Sequence, residues 1–127
     1  MAAIEALLLT KLTGTTGVST LVGTRIHPAM LPQNVTYPAI RYLLTDSPAQ
    51  NVTGKNRFLR ARVQLDVYGA TYAAAKAVAV AVRSALNRWS APTDGVILAW
   101  IDDETDVDDA EEQMARISLD VVITYRE

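Results

Sequence analysis

Phe58-Leu-Arg-Ala-Arg-Val-Gln-Leu-Asp-Val-Tyr-Gly69, followed by Ala70-Thr71 and the alanine-rich run Tyr72 to Trp89, decides the fold of this chain. Leu59, Ala61, Val63, Leu65 and Val67 alternate with Arg60, Arg62, Gln64 and Asp66, the period of a strand with one buried face. One side packs; the other faces water or a partner. Tyr68-Gly69-Ala70 turns the chain, and the Thr71 hydroxyl is placed to cap a helix over Tyr72 to Trp89. The helix stripe Ala74, Val78, Val82, Ala85, Trp89 is mostly small, which lets a helix lie close on its sheet. Lys76, Arg83 and Asn87 form the opposite, polar side, with Val80 its apolar exception. Nothing in this unit is catalytic.

The flanking segments extend the same architecture. Ile4, Leu7, Leu8, Lys11 and Leu12 recur at helical spacing and predict a first helix over residues 2 to 12, stopped by Gly14 to Gly17. Val18 to Gly23 reads as a further helical turn with a glycine cap, and Thr24 to Pro28 as a short extended piece. Met30 to Pro38 is an irregular loop, Ala39 to Thr45 a strand with both faces partly apolar, and Asp46 to Asn56 a long exposed connection. After a turn at Ala91 to Gly95, Val96 to Ile101 is an apolar strand. Met114 to Arg126 alternates again, with Ala115, Ile117, Leu119, Val121, Ile123 and Tyr125 inward and Arg116, Ser118, Asp120, Val122 and Thr124 outward. These two strands are expected to pair antiparallel through the connection 102–112. The order helix, strands, helix, strands predicts an α+β domain over 1–127: a mostly antiparallel four- to five-stranded sheet with an N-terminal and a long central helix on one face. Its uncovered face would hold Arg60, Arg62, Gln64, Asp66, Arg116, Ser118 and Asp120.

With 127 residues, half of them hydrophobic, the chain can bury one core, about two-thirds of the surface the unfolded chain exposes. It has no cysteine, so disulfides and thiolate metal sites are excluded. The apolar start carries Glu5, lacks a basic leader and is too short to span a bilayer, so it reads as a mature amphipathic helix and no membrane association is expected. The glycosylation patterns at Asn34-Val35-Thr36 and Asn51-Val52-Thr53 read as chance matches in polar loops. The net charge of −2 hides an asymmetry: between Asp102 and Glu112 lie 8 of the 14 acids and no base, leaving 6 acids against 12 bases elsewhere.

Each candidate chemistry meets a simpler account. An enzyme would depend on His27, the only histidine, with Asp46 or Asp66 as partner, and no nucleophile-elbow or phosphate-loop pattern accompanies it. We therefore expect no catalytic residue and no cofactor. Asp102, Glu104, Asp106 and Asp108 alternate as calcium ligands would, but Val107 and Gln113 stand where an EF-hand needs glycine and a carboxylate. A looser ligand- or divalent-cation-binding module using the acidic 102–112 loop stays open as the alternative function. The basic stretch Lys55, Arg57, Arg60, Arg62 could meet phosphates, yet Asp66 and Asp120 share its face, so sequence-specific nucleic-acid binding is not expected. Cross-strand charge pairing explains the same residues.

Gly23-Thr24-Arg25-Ile26-His27-Pro28, Leu31-Pro32-Gln33 and Tyr37-Pro38-Ala39-Ile40 resemble the tail-completion, or tail-terminator-like, family of long-tailed siphovirus-type bacteriophages and prophages. Arg60 to Ala73, Ala75-Lys76, Val82 to Leu86, Arg116 to Asp120 and Tyr125-Arg126-Glu127 continue the resemblance in order along nearly the whole chain. The stretch Asp102 to Glu112 departs from it by its acidity. The resemblance implies a structural virion protein, assembled in the host cytoplasm. It would form a homo-oligomeric, hexameric ring on the head-proximal end of the tail tube, ending tube growth and joining the tail to the head. Its partners would be the major tail-tube protein and the head-tail connector, with a lumen through which DNA could pass. A closed ring needs one patch to meet a different patch on the neighbour. Arg60, Arg62, Gln64, Asp66, Arg116 and Asp120 are the residues we expect at such contacts.

Overall fold

The computed structural model describes residues 4–46, 58–109 and 114–126. Three helices, α1 (Ile4–Gly14), α2 (Thr16–Val22) and α3 (Tyr72–Leu86), accompany β1 (Ile26–Pro28), β2 (Ala39–Asp46), β3 (Phe58–Gly69), β4 (Val96–Asp109) and β5 (Met114–Arg126). The strands form one sheet in the order β1-β2-β3-β5-β4, with β1 parallel to β2 and every other pair antiparallel. This is the expected α+β fold, with five strands. The expected connection Asp46 to Asn56 and the sequence pattern at Asn51 lie outside the described residues, apart from Asp46.

The core lies between the sheet and the helices. Ala61, Val63, Leu65 and Val67 of β3 and Ile117, Leu119, Val121 and Ile123 of β5 are fully buried on one face. Against them pack Ile4, Leu8 and Leu12 of α1, Val18 and Val22 of α2, and Ala75, Val78, Ala79, Val82 and Leu86 of α3. The stripe α3 buries is thus turned slightly from the expected one, with Ala75 and Ala79 in place of Ala74. Thr71 caps α3 as its sequence predicts, its hydroxyl oxygen accepting from Ala74 N–H at 3.2 Å.

α1 runs on through Gly14 and α2 begins at Thr16, so the expected stop at Gly14 to Gly17 shrinks to Thr15; two larger differences each have a local reason. α3 ends at Leu86 rather than Trp89 because Arg88 takes a left-handed backbone, φ 68°, and turns the chain. Arg88 N–H then donates to Ala99 O and Ala99 N–H to Trp89 O, both at 2.8 Å, so the helix is exchanged for a short pairing with β4. The acidic stretch is a strand, not a loop, as far as Asp109. β4 continues through it, paired with β5 out to Asp109 opposite Met114. Charged residues disfavour strands only weakly, and a long neighbouring strand that offers backbone partners overrides that preference.

Gly69 closes β3 where it meets α3. A Cβ there would lie 2.6 Å from the backbone nitrogen of Ala75, with no flexible side chain able to yield. Gly69→Ala should cost about 1–3 kcal/mol by forcing the strand off the helix, read as a lower urea midpoint with little change in slope. Leu65→Ala, which empties a fully buried site, should cost about 2–5 kcal/mol in the same assay.

Candidate functional site

The face of the sheet away from the helices carries the residues singled out from the sequence, and the register sets them in rows. Going from β2 across β3 and β5 to β4, one row is Ala39, Tyr68, Arg116, Val107; the next is Arg41, Asp66, Ser118, Thr105. Below them follow Leu43, Gln64, Asp120, Asp103, and then Arg62, Val122, Trp100. All six predicted residues, Arg60, Arg62, Gln64, Asp66, Arg116 and Asp120, therefore share one face.

Their charges are largely engaged with one another across the strands. Arg62 Nη1 donates to Asp120 at 2.6 Å and to Asp102 at 3.1 Å, tying β3 to β5 and β4. These carboxylates, the hydrogen bond to Asp102 first, raise the Arg62 pKa further above its ordinary value. Arg60 stands over the Trp100 ring at 5.6 Å, and Arg116 over Tyr68 at 5.9 Å. Asp66 accepts from Arg41 and, at 3.0 Å, from Gln64 Nε2. Two residues expected to face outward are buried here: Asp66 and Val122 are each only 1% exposed. Asp66 lies under its two partners, and Val122 lies between Arg62 and Trp100 in its own row.

The acids of β4 diverge rather than converge. Register shifts between Val96 and Leu98 and between Ile101 and Asp103 mark bulges, and the second changes which residues share a face. Beyond it Asp103 and Thr105 share the open face with Asp120 and Ser118, whereas Glu104 and Asp106 turn toward α3. Glu104 accepts from Lys76 Nζ at 2.7 Å and from Arg83 Nη1 at 3.2 Å, and Asp106 from the Tyr72 hydroxyl at 3.1 Å. Lys76 and Arg83, on the polar side of α3, thus brace β4. Among the described residues, no three His, Asp or Glu side chains come together as metal ligands. His27 lies opposite Arg41 in β1, and the Asp66 carboxylate is taken by Arg41 and Gln64.

One feature was not read from the sequence. Residues Met30 to Val35 and Tyr37 of the loop between β1 and β2 line a cleft of about 500 Å³ together with Arg41 and Tyr68, a size common for ligand clefts. The isolated Arg41 within an apolar strand was the signal for it. Arg41 binds Asp66 through Nη2, while its Nε is buried without a hydrogen-bond partner. No described helix is long and apolar enough to cross a membrane.

The described residues form an α+β sheet with helices on one face and a cross-strand charge network on the other. The chain belongs to the family described as Tail completion protein gp17, which it matches over residues 6–126. It is a structural protein of phage tails, a component of the virion that associates with other tail and head proteins. The fold is shared with a chain of the solved structure "Virion of native gene transfer agent (GTA) particle", at a TM-score of 0.76 and 22% identity, covering 98% of this chain and 96% of that one. No curated protein matches it significantly in sequence.

The Glu104 cluster gives the site a pH signature. Hydrogen bonding to Lys76 first, with the nearby positive charge of Lys76 and Arg83, holds the Glu104 carboxyl below its ordinary value of 4.5. A depressed carboxyl contributes stability above its unfolded pKa and loses it as pH falls through the lower folded value. Lys76, raised from 10.5 chiefly by the same bond, contributes below that value and loses its share as pH rises through its folded one. Glu104→Gln should therefore lower the melting temperature at pH 7 and flatten its decline below about pH 4.5, as read by calorimetry across pH.

Proposed function

We propose that this chain forms a ring on the head-proximal end of a phage tail tube, ends the growth of the tube and joins the tail to the head connector. The match to the tail completion family over residues 6–126 carries this reading. Two features of the fold support it. The sheet ends in two unlike edges, the three-residue β1 and the 14-residue β4, which suits the heterologous contact that a closed ring requires. The other is the open face, which presents Arg60, Trp100 and Leu98 to a second component while its remaining charges hold the strands in register.

In this reading residues 1–127 act as one domain and six copies close the ring. The major tail-tube protein and the head-tail connector occupy its two sides, and DNA crosses the lumen. The ring forms in the host cytoplasm and stays in the virion, with no turnover. Arg60, Arg62, Gln64, Asp66, Arg116 and Asp120 serve the assembly chiefly by shaping the face, with Arg60 the exposed charge offered to a partner.

Mixing the chain with tail-tube protein at micromolar concentration should give rings, seen by electron microscopy and weighed by native mass spectrometry. Arg60→Glu should leave the monomer folded, since an exposed cation–π contact contributes about 0.5–1 kcal/mol. The same change should weaken capping of tubes by roughly tenfold or more. A chain that stays monomeric and never binds tubes would contradict the reading.

A further inference from the structure

The two edges of the sheet differ in what they leave open. At Ala99 the outer side of β4 is occupied by Arg88 and Trp89, and at Ile101 its N–H donates to Asn87 Oδ1 at 3.4 Å. From Asp103 to Asp109 no backbone partner lies outside β5 among the described residues. An unpaired strand edge is a template for another chain, and acids along it keep identical edges apart. Asp103 is exposed, lies on the open face and receives only a hydroxyl, from Thr105 at 3.3 Å. Among the described residues no base pairs with it.

The opposite edge offers the complement. At the β1–β2 side the cleft is lined by Arg41 together with Tyr68, Tyr37 and Val35. The Arg41 guanidinium uses one terminal nitrogen for Asp66, and no hydrogen bond to a described residue engages the other. A guanidinium that can take a second carboxylate favours planar, charge-assisted pairing. Met30, lining the same cleft, is 78% exposed, an adaptable apolar contact left in water. The rows place Arg41 and Asp103 one register step apart on the same face, at opposite sides of the sheet. Two copies set side by side bring one residue toward the other.

We propose that the cleft receives Asp103 from the β4 edge of a second copy, so that copies join head to tail and each repeats the contact with the next. Acid against acid prevents β4 from pairing with itself, so the contact runs in one direction around the assembly. This rests on the ring reading above and assigns the surfaces that would close the ring.

The absence of cysteine allows a direct test. Met30→Cys with Thr105→Cys, which keeps Asp103 and uses its exposed neighbour in the Arg41 row, oxidised under assembly conditions, should give a ladder of covalent multimers on non-reducing gels. Either single variant can give dimers at most. Arg41→Lys keeps a cation for Asp66 but loses the second nitrogen, and should weaken self-association roughly tenfold or more. Asp103→Lys should do the same while leaving the monomer's melting curve in place. If native mass spectrometry shows rings but the double variant yields no ladder and Asp103→Lys assembles normally, the contact is wrong and the ring reading stands. If no assembly forms with or without tail-tube protein, both fall.

Discussion

The antiparallel pairing of β3 with β5 is the constraint on which the rest of the molecule depends. All twelve residues of β3 are matched to β5, from Phe58 opposite Arg126 to Gly69 opposite Ala115. A slip of one residue would exchange the two faces of a strand. Here it would drive Arg60, Arg62 and Gln64 into the layer beneath α3 and bring Val63 and Leu65 out to water. Because most inward residues of both strands are fully buried, such a slip would forfeit about 1.5–3 kcal/mol of apolar transfer at each large side chain. The hydrophobic pattern thus sets the register, and the register sets the charges of the open face in rows.

Those rows explain how a sheet face without helices holds its shape. Isolated exposed ion pairs contribute little, typically below about 1 kcal/mol. Here the pairs are linked: Arg62 joins three strands, Arg41 and Gln64 share Asp66, and Glu104 joins β4 to two turns of α3. Their value lies in specificity as much as in stability, since each carboxylate meets its base in only one register. Asp66 is the most committed of them. It is buried with Arg41 as its counter-ion, and removing either partner would strand a charge away from water.

Much of this was legible in the sequence, and the failures have particular causes. The clean period of two in β3 and β5, the Thr71 cap and the Gly23 cap are local signals, and they gave these elements and the covered face, whereas Gly14 and Gly17 proved helical. The acidic run was misread as a loop because composition outweighed its neighbour: β5 extends far enough to recruit residues to Asp109 as a strand. Arg88 ended α3 early through a left-handed backbone that no residue type announced. The alternation grouped the candidate residues on one face, but their internal pairing was not legible, because partners such as Arg62 and Asp102 lie forty positions apart. The cleft escaped notice for a similar reason: its loop is irregular, and Arg41 and Tyr68 join it only through the sheet.

The bulge in β4 between Ile101 and Asp103 has a bearing on how this chain can vary. Before the bulge, Ala99 and Ile101 face the core side; after it, Glu104 and Asp106 do. The extra residue works as a phase shift, converting an apolar strand that serves the core into an acidic one that serves α3 at its margin. A change in the number of residues at the bulge would put Glu104 and Asp103 on each other's side. It is the count of residues between Ile101 and Glu104 that keeps the two halves of this strand in phase with their neighbours.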